Sequence, residues 1–327
     1  MRLAKDTIKI QDSFDLANFL PQLKNHIEAM KISKFVTDPM VFGQIKIEKQ
    51  KYIKALEEIL AHSDNFIQWI SSHFSAMEVY GRNQWGEVLT TGYFQPEIQG
   101  SLSPNEKFTQ ALYLLPVQEI DQGFSRAEID CEDKLKNKGL ELVWVDPIDA
   151  FFLQIQGSGF VILPDGKELH LGFSGKNGKP YQAIGKFLAD QIPIEKMTAQ
   201  KIIEHLKMLS PKELHEILNK NESYVYFKLL SGPAHTFAGM EVIPERTIAT
   251  DAAFFPKGAL AFLDIEEPVL GEHKPRLVFD QDTGGAIKGG GRIDLYFGRG
   301  DLALEKAGAM KRLGKLFYLI PNSVLEH

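Results

Sequence analysis

The spacing of apolar residues changes near Val88, and this change limits the folds that the chain can adopt. Before Val88, apolar residues recur at helical intervals, as in the stripe formed by Tyr52, Leu56 and Ile59. After it, short apolar runs are separated by Gly, Pro and Asp, which is typical of β-strands joined by turns. The sequence therefore predicts a mainly β protein of the α+β class, with helices first and compact barrels or sandwiches behind them.

Individual elements follow from the same patterns. The predicted helices are Phe14 to Ile27, Ile45 to Ala61 and Phe66 to Met77, and helices return between Thr198 and Asn221. The predicted strands are Ala111 to Val117, Leu142 to Val145, Phe151 to Ile155, Phe160 to Leu163, Tyr224 to Leu229, Ala259 to Ile265, Leu277 to Phe279 and Leu316 to Ile320. Pro21 is expected near a helix start or at a kink, and Ser63 or Asp64 is expected to cap the third helix. Ser210 to Glu213 forms a capping box, and Pro164 to Lys167 forms a turn.

Composition and charge exclude several classes of function. The chain of 327 residues carries 37 basic and 43 acidic side chains, a net charge of −6. Nucleic-acid-binding proteins usually present a basic surface, so we expect no nucleic-acid partner. Cys131 is the only cysteine, so neither an intrachain disulfide nor a cysteine zinc site can form. The sequence contains no apolar run of about 18 residues, the length that spans a membrane as a helix.

Three short motifs are incomplete. His215 and Glu216 start a zinc-protease motif, but Asn219 stands where the second zinc ligand is needed. Gly157-Ser158-Gly159 differs from the GxSxG motif of hydrolases because a glycine lies directly on each side of the serine. The glycines at 289–291 lack the lysine and hydroxyl residue that end a phosphate-binding loop. We therefore expect no metal and no cofactor.

Four segments have a composition that folding alone does not require. They are Thr90 to Pro96, Gln154 to Gly159, Ala249 to Gly258 and Asp282 to Gly298. Together they supply amides, hydroxyls, aromatic rings and three carboxyls, with glycines between them; Gln154 and Gln156 are expected on one face of a strand. Sugar recognition uses this set of groups, and glycosidic cleavage also needs a carboxylic acid that protonates the leaving oxygen.

Asp294 is the candidate acid with the most suggestive neighbours. If its segment is a strand, Ile293 and Leu295 face one side and Asp294 faces the other. Apolar neighbours desolvate a carboxyl group, and desolvation favours the protonated form that an acid catalyst needs. A turn-capping or salt-bridged structural aspartate remains an alternative, and the spacing of the residues does not decide between them.

The four segments, in this order, resemble the membrane-bound lytic murein transglycosylase A family. The motifs that carry the resemblance are Thr91-Gly92-Tyr93-Phe94-x-Pro96, Gln156-Gly157-Ser158-Gly159, Tyr181-x-x-Ile184-Gly185, the segment NESYVYF at 221–227, and the three aspartates Asp251, Asp282 and Asp294 of a C-terminal "3D" module. Glu222 replaces the proline that is usual in the family. The resemblance covers roughly residues 88 to 320.

The resemblance implies two domains with a groove between them. One would be a double-psi β-barrel formed by residues 1–96 and 236–327, including the N-terminal helices and a 3D module at about 245–320. The other would be a smaller β-barrel inserted at residues 97–235. The implied reaction is cleavage of the β-1,4 bond from N-acetylmuramic acid to N-acetylglucosamine in peptidoglycan glycan strands, without water, which leaves a 1,6-anhydro ring.

Site roles are also implied by the resemblance. Asp294 would act first as the acid and then as the base, with Asp282 and Asp251 in support. The substrate-binding residues would be Thr91, Tyr93, Gln156, Gly157, Ser158, Lys288 and Tyr296. A close cation would oppose the acid role, so Lys288 and Arg292 are expected to point away from Asp294 or to hold substrate. The glycines at 289–291 make the loop between Asp282 and Asp294 one residue longer than in the type member of the family.

The location and partners are likewise expectations. We interpret Leu325 to His327 as the remainder of a C-terminal tag, and Met1 as an introduced start in place of a targeting segment. The family implies an outer-membrane lipoprotein that faces the periplasm; the lipid-attachment cysteine is absent, which fits a trimmed chain. Peptidoglycan is the expected partner of a monomer, together with possible cell-wall synthesis or division proteins. The alternatives are a non-catalytic glycan-binding module and a two-carboxylate glycoside hydrolase that uses Asp251 or Asp282.

Overall fold

The chain forms two compact units in the computed structural model. The structure describes residues 1–325 except 15, 83, 194–196, 232–235, 237, 268, 270 and 286. The first unit contains Met1–Phe94, Pro233–Gly298 and Leu302–His327, and the second contains Gln95–Gly232 and Arg299–Asp301.

Helices and strands alternate along the chain. The helices are α1 (Leu16–Ile32), α2 (Lys49–Ala61), α3 (Phe66–His73), α4 (Glu119–Gln122), α5 (Arg126–Asp130), α6 (Pro147–Gln156), α7 (Ala199–Leu206), α8 (Pro211–Leu218) and α9 (Gly300–Ala309). The strands are β1 (Arg2–Leu3), β2 (Met40–Phe42), β3 (Ile45–Ile47), β4 (Phe74–Glu78), β5 (Glu87–Gln95), β6 (Glu97–Ser101), β7 (Gln110–Tyr113), β8 (Glu141–Val145), β9 (Gly159–Ile162), β10 (Glu168–Lys176), β11 (Val225–Leu229), β12 (Thr247–Ala249), β13 (Leu260–Asp264), β14 (Glu266–Glu267), β15 (Glu272–His273), β16 (Arg276–Asp282), β17 (Arg292–Arg299) and β18 (Lys311–Pro321).

The first unit is built on an eight-stranded sheet that closes on itself. The strand order is β1-β4-β18-β13-β16-β12-β17-β5, and β18 also pairs with β5, so the strands from β18 to β5 form a closed barrel. β12 and β16 run parallel, whereas β13 pairs antiparallel with both β16 and β18. Closure leaves few open sheet edges. The fold class predicted from the sequence, a barrel accompanied by helices, is confirmed for this unit.

The helices of the first unit pack against this barrel. In α1, Phe19, Leu23 and Ile27 recur on one face and are buried, and the Phe19 ring stacks on Phe279 with centroids 5.6 Å apart. In α2, the hydroxyl of the buried Tyr52 donates to the main-chain oxygen of Leu319 at 2.8 Å. The predicted helical stripes are thus core residues.

Some predicted boundaries in this region were wrong. Ile45–Ile47 is a strand that forms a hairpin with β2, so the predicted helix starts only at Lys49. The third helix ends at His73 because Phe74–Glu78 joins the sheet as β4. No side chain caps α3, since Ser63–Asn65 forms a short 3-10 turn before it. Pro21 lies inside α1, in its first half.

The second unit is a six-stranded sheet with the order β11-β10-β9-β6-β8-β7. A bridge between Leu114 and Phe227 joins the segment after β7 to β11 and closes this sheet into a barrel. Its core contains buried apolar residues from successive strands, among them Leu112, Val143 and Val161. The capping box of Ser210 and Glu213 is present at the start of α8, as predicted.

One predicted strand of this unit was wrong. Phe151 to Ile155 lies in helix α6, and Gln154 and Gln156 therefore do not share one face of a strand. The local signals favour the helix: Pro147 occupies its first turn, and the Asp146 carboxylate caps it by accepting from the Ile148 amide at 2.8 Å. A short apolar run cannot by itself distinguish a strand from a buried helix.

Candidate active site

Strand β17 presents Asp294 on the face opposite its apolar neighbours. Ile293 and Leu295 are fully buried, whereas the Asp294 side chain is 16% exposed. This alternation is the one predicted from the sequence. The carboxyl group is therefore held on a rigid strand and can still be reached from solvent.

The side chains of Thr91 and Arg292 contact the Asp294 carboxylate. The Thr91 hydroxyl on β5 donates to Oδ1. The Arg292 guanidinium lies 3.2 Å from Oδ1 through Nε and 3.3 Å from Oδ2 through Nη2, and its Nε also lies 3.2 Å from the Thr91 hydroxyl. Of the two alternatives expected for Arg292, pointing away from Asp294 was wrong, and holding substrate stays a prediction. Residues i and i+2 of a strand project from the same face, which is why the two side chains meet.

Strand register brings the candidate acids to one end of the barrel. Ala249 of β12 pairs with Asp282 of β16 on one side and with Asp294 of β17 on the other. With neighbouring strands about 4.8 Å apart, the Cα atoms of the two aspartates are separated by roughly 10 Å. Asp251 follows β12 by two residues, so its carboxylate belongs to the same end.

Asp282 is paired with a tyrosine hydroxyl. Tyr93 donates to Asp282 Oδ2 at 3.0 Å, and the Thr283 amide donates to Oδ1 at 2.9 Å. Burial of the hydroxyl, followed by the negative charge of Asp282, raises the pKa of Tyr93 well above its ordinary value. Tyr93 therefore stays protonated and remains a donor at neutral pH. Its ring lies against Tyr296, with centroids 5.2 Å apart.

Asp251 accepts two main-chain hydrogen bonds. The amides of Gly289 and Ala253 donate to its carboxylate at 2.8 and 3.1 Å. These bonds, with a smaller effect from the charge of Lys288, lower the pKa of Asp251. Asp251 therefore acts as an anchor for the glycine-containing loop between Asp282 and Arg292. Ala286, within this loop, lies outside the described residues.

The remaining predicted binding residues belong to the second unit. Gln156 is the exposed last residue of α6, and Gly157 ends this helix in the left-handed conformation at φ 81°. The Ser158 hydroxyl that follows accepts from the Gln95 side-chain amide at 3.3 Å. Gln154 is buried and accepts from Arg126 at 2.6 Å, so it belongs to the core of this unit. Gln95 itself was not predicted, although it lies in one of the four segments.

The structure also answers two general questions about the described part of the chain. Within residues 1–325, outside the gaps given above, no cluster of three or more His, Cys, Asp or Glu side chains is arranged to hold a metal ion. In that same part, no helix has both the length and the apolar character needed to cross a membrane.

Comparison with known proteins places the chain in a family. Residues 89–228 match the MltA specific insert domain, and residues 246–320 match the 3D domain. A membrane-bound lytic murein transglycosylase A from Vibrio cholerae is 34% identical over 254 residues, which cover 75% of this chain and 68% of the relative. The chain belongs to the membrane-bound lytic murein transglycosylase A family. The protein of the same name from Escherichia coli K12 is 31% identical over 253 residues, with the same coverage.

Solved structures of the family share the fold. The crystal structure of E. coli MltA with bound chitohexaose has a TM-score of 0.81 and 25% identity, and it covers 98% of this chain and 94% of its own. The lytic transglycosylase LtgG of Burkholderia pseudomallei has a TM-score of 0.67 and 28% identity, covering 98% of this chain and 97% of its own. The resemblance found in the sequence is thereby confirmed.

Proposed function

We propose that this protein is a lytic transglycosylase that cleaves the β-1,4 bond from N-acetylmuramic acid to N-acetylglucosamine in peptidoglycan glycan strands. The observation that carries the proposal is a carboxyl group, Asp294, held accessible on a barrel strand beside the Thr91 hydroxyl, in a chain whose relatives bear the name lytic murein transglycosylase A. A family member that binds chitohexaose supports a glycan as the ligand.

Asp294 serves as the acid and then as the base. Its proton passes to the glycosidic oxygen while the bond from C1 of the muramic residue to that oxygen breaks. The C6 hydroxyl oxygen of the same residue then forms a bond to C1, and its proton returns to the Asp294 carboxylate. No water is consumed, the product carries a 1,6-anhydro ring, and the carboxyl group ends protonated as it began. One carboxyl group is sufficient because no water has to be activated, in contrast to hydrolases.

Arg292 and Thr91 hold the Asp294 carboxylate that exists between the two proton transfers. Both donate to the Asp294 carboxylate, and such bonds stabilise the ionised form that accepts the C6 proton. The Arg292 side chain is 33% exposed, so it can turn towards an anionic substrate group such as a carboxylate of the stem peptide. Arg292 then holds the substrate beside Asp294.

The two other acids have structural partners that leave them in supporting roles. Asp282 holds the Tyr93 hydroxyl, and Asp251 holds the Gly289 amide. We therefore assign both carboxylates to holding their neighbours, and the digestion experiment below distinguishes this assignment from a two-carboxylate hydrolase. Tyr93 and Tyr296 offer ring faces for sugars, and Lys288 adds a cation for anionic groups of the substrate.

Gln156, Gly157 and Ser158 of the second unit are proposed to bind sugar hydroxyl or acetamido groups. An exposed amide and a hydroxyl follow directly on a helix end, and such groups recognise polar ligands. Relatives of this chain are named membrane-bound. We place the action of this protein at the periplasmic face of the outer membrane, where peptidoglycan lies, with the monomer as the working form.

Digestion of purified cell-wall sacculi tests the proposal. The wild type should release fragments that end in 1,6-anhydromuramic acid, one water lighter than hydrolysis products. Asp294→Asn should lower the rate about 10³-fold or more, because the same group supplies both proton transfers. Asp264→Asn, at a partly exposed aspartate on β13, is the matched control and should retain the wild-type rate. Fragments with a free reducing end would establish hydrolysis, and undiminished activity of Asp294→Asn would remove Asp294 from the mechanism.

A further inference from the structure

A buried ion pair lies beneath the acids of the first unit. Lys257 is 3% exposed and Asp280 is fully buried, and the Lys257 ammonium lies 2.7 Å from Asp280 Oδ1. Asp280 is on β16, two residues before Asp282, and Lys257 precedes β13. Burying two charges has a large desolvation cost. The groups that contact the pair are therefore the groups whose arrangement it can stabilise.

The Lys257 ammonium also binds main-chain oxygens at the ends of two strands. It donates to the carbonyl oxygen of Asp282 at 2.8 Å and lies 3.2 Å from the carbonyl oxygen of Thr250. These peptide groups directly adjoin two of the candidate acids, since Thr250 precedes Asp251. The Thr250 amide further donates to the Asp282 carbonyl at 3.0 Å, which ties the two strand ends together.

Asp280 completes the network on its other side. Its Oδ2 accepts from the Thr250 hydroxyl at 2.8 Å and from the Tyr318 hydroxyl on β18 at 2.5 Å. Burial and the charge of Asp280 raise the pKa of Tyr318 well above its ordinary value, so Tyr318 remains a donor. The network therefore joins the ends of β12 and β16 to the opposite wall of the barrel through satisfied hydrogen bonds.

We propose that Lys257, held by Asp280, is a positioning residue for the reaction of the first unit; this inference rests on the proposed function. Lys257 fixes the peptide groups beside Asp251 and Asp282. Asp251 in turn holds the Gly289 amide, and the loop that contains Gly289 leads directly into the strand of Asp294. The pair thereby sets the geometry of the catalytic loop without touching substrate.

A matched pair in the same unit separates positioning from stability. Arg246 and Asp12 form another buried ion pair, and Arg246 donates to the carbonyl oxygen of Leu277 at 2.9 Å. Arg246 directly precedes β12, and Leu277 is near the start of β16. This pair binds the starts of the same two strands, whereas the acids lie at their ends.

The experiment compares two double variants, Lys257→Met with Asp280→Val and Arg246→Met with Asp12→Val. Replacing both partners of a buried pair by apolar residues can preserve stability, whereas removing one leaves an unpaired charge. Both variants are expected to unfold cooperatively. On solubilised glycan strands, the Lys257 double variant should lose about tenfold or more in kcat, with KM within about threefold, because 1.4 kcal/mol of lost alignment corresponds to a factor of ten. The Arg246 double variant should keep kcat within about twofold.

Hydrogen exchange supplies a readout that does not depend on activity. The Gly289 amide should exchange at least about tenfold faster in the Lys257 double variant and at the wild-type rate in the Arg246 double variant. Equal exchange in both, or a kcat loss of the same size in both, overturns the positioning role. If the wild type forms no anhydro products, the proposed function fails, and the exchange result still decides whether Lys257 orders the loop.

A conservative change covers the case in which the double variant does not fold. Lys257→Arg keeps a charged donor for the carbonyl oxygens and should retain at least about one third of the wild-type kcat. Lys257→Arg with wild-type exchange at Gly289 but a tenfold lower kcat would also contradict the inference, because the loop would then be ordered without restoring the reaction.

Discussion

Both units of this protein are closed barrels with a charged group in the interior, but the two charges have different surroundings. In the first unit, Lys257 binds peptide groups that adjoin Asp251 and Asp282. In the second unit, Arg126 binds the carbonyl oxygens of Asn221 and Ser223 at 3.0 and 2.7 Å. Asn221 and Ser223 lie ahead of strand β11, outside the four segments that contain the candidate site residues.

The comparison indicates when a buried charge is relevant to function. Arg126 is also stacked between aromatic rings, 4.7 Å from the centroid of Phe151 and 5.2 Å from that of Tyr224, as expected of a residue that organises a core. Lys257 has short polar contacts at strand ends that carry carboxyl groups. A buried ion affects catalysis when its partners are the peptide groups next to the reacting side chains, and otherwise it stabilises the fold.

The largest expected effect of a single change on stability is in the second unit. Arg126→Met removes the donor for Gln154 and for two carbonyl oxygens, and it leaves the buried Asp130 without its cation. Breaking a buried pair on one side costs about 3–5 kcal/mol. Urea unfolding should show this loss, while Arg312→Met at an exposed arginine should change stability by less than about 0.5 kcal/mol. A loss below about 1 kcal/mol for Arg126→Met would mean that the core tolerates the unpaired groups.

The next largest expected effect is a pH dependence of stability caused by a buried histidine of the first unit. His26 is buried, and burial lowers its pKa from 6.5 to about 4, an effect only partly offset by its bond to the Gly258 carbonyl at 2.9 Å. The unfolded chain therefore takes up a proton on this histidine near pH 6.5, before the folded chain does. The stabilisation is fully present above pH 6.5 and is lost as the pH falls towards 4. Between pH 7 and 4.5 the loss should be about 2–3 kcal/mol.

Denaturation at both pH values in wild type and His26→Gln checks this expectation. The variant should lack this part of the pH dependence, whereas His73→Gln, at an exposed histidine of the same unit, should respond as the wild type does. An identical pH response of His26→Gln and wild type would show that the buried histidine is not the group responsible. Carboxyl groups also titrate between pH 7 and 4.5. The quantity to compare is therefore the difference between wild type and variant in how much stability changes with pH.

The elements with strong local signals were predictable from sequence. The side to which Asp294 points was predicted on the condition that its segment is a strand, and the start of α8 was predicted from its capping box. Helix α6 was missed because its apolar run fits either period, although Asp146 and Pro147 carried the signal of a helix start. Tertiary pairing decided the strand Ile45–Ile47, which only becomes recognisable when its partner in the hairpin is known.

The contacts in and around the candidate site likewise include some that the sequence could predict and others that it could not. The contact of Arg292 with Asp294 could have been inferred, because the alternation that turns Asp294 outward turns Arg292 to the same face. The pairing of Lys257 with Asp280 could not be inferred. It requires the antiparallel register of β13 and β16, and local patterns contain no information on which strands become neighbours.

The smallest expected effects come from removing one side-chain hydroxyl group in each unit. Thr91 donates to a carboxylate, whereas Ser158 accepts from the neutral amide of Gln95 at 3.3 Å. Hydrogen bonds to charged groups contribute about 1.5–3 kcal/mol and neutral ones about 1 kcal/mol. Thr91→Val keeps the side-chain shape and should lower kcat about tenfold with little change in KM. Ser158→Ala should raise KM about three- to fivefold at unchanged kcat.

Steady-state rates on solubilised glycan strands distinguish the two outcomes. A bond to the group that transfers protons acts in the transition state, while a bond to a neutral binding group acts equally on bound substrate and transition state. If Ser158→Ala lowered kcat as much as Thr91→Val does, the second unit would have to contribute to the chemical step as well as to binding. The assignment of the reactive groups to the first barrel alone would then no longer hold.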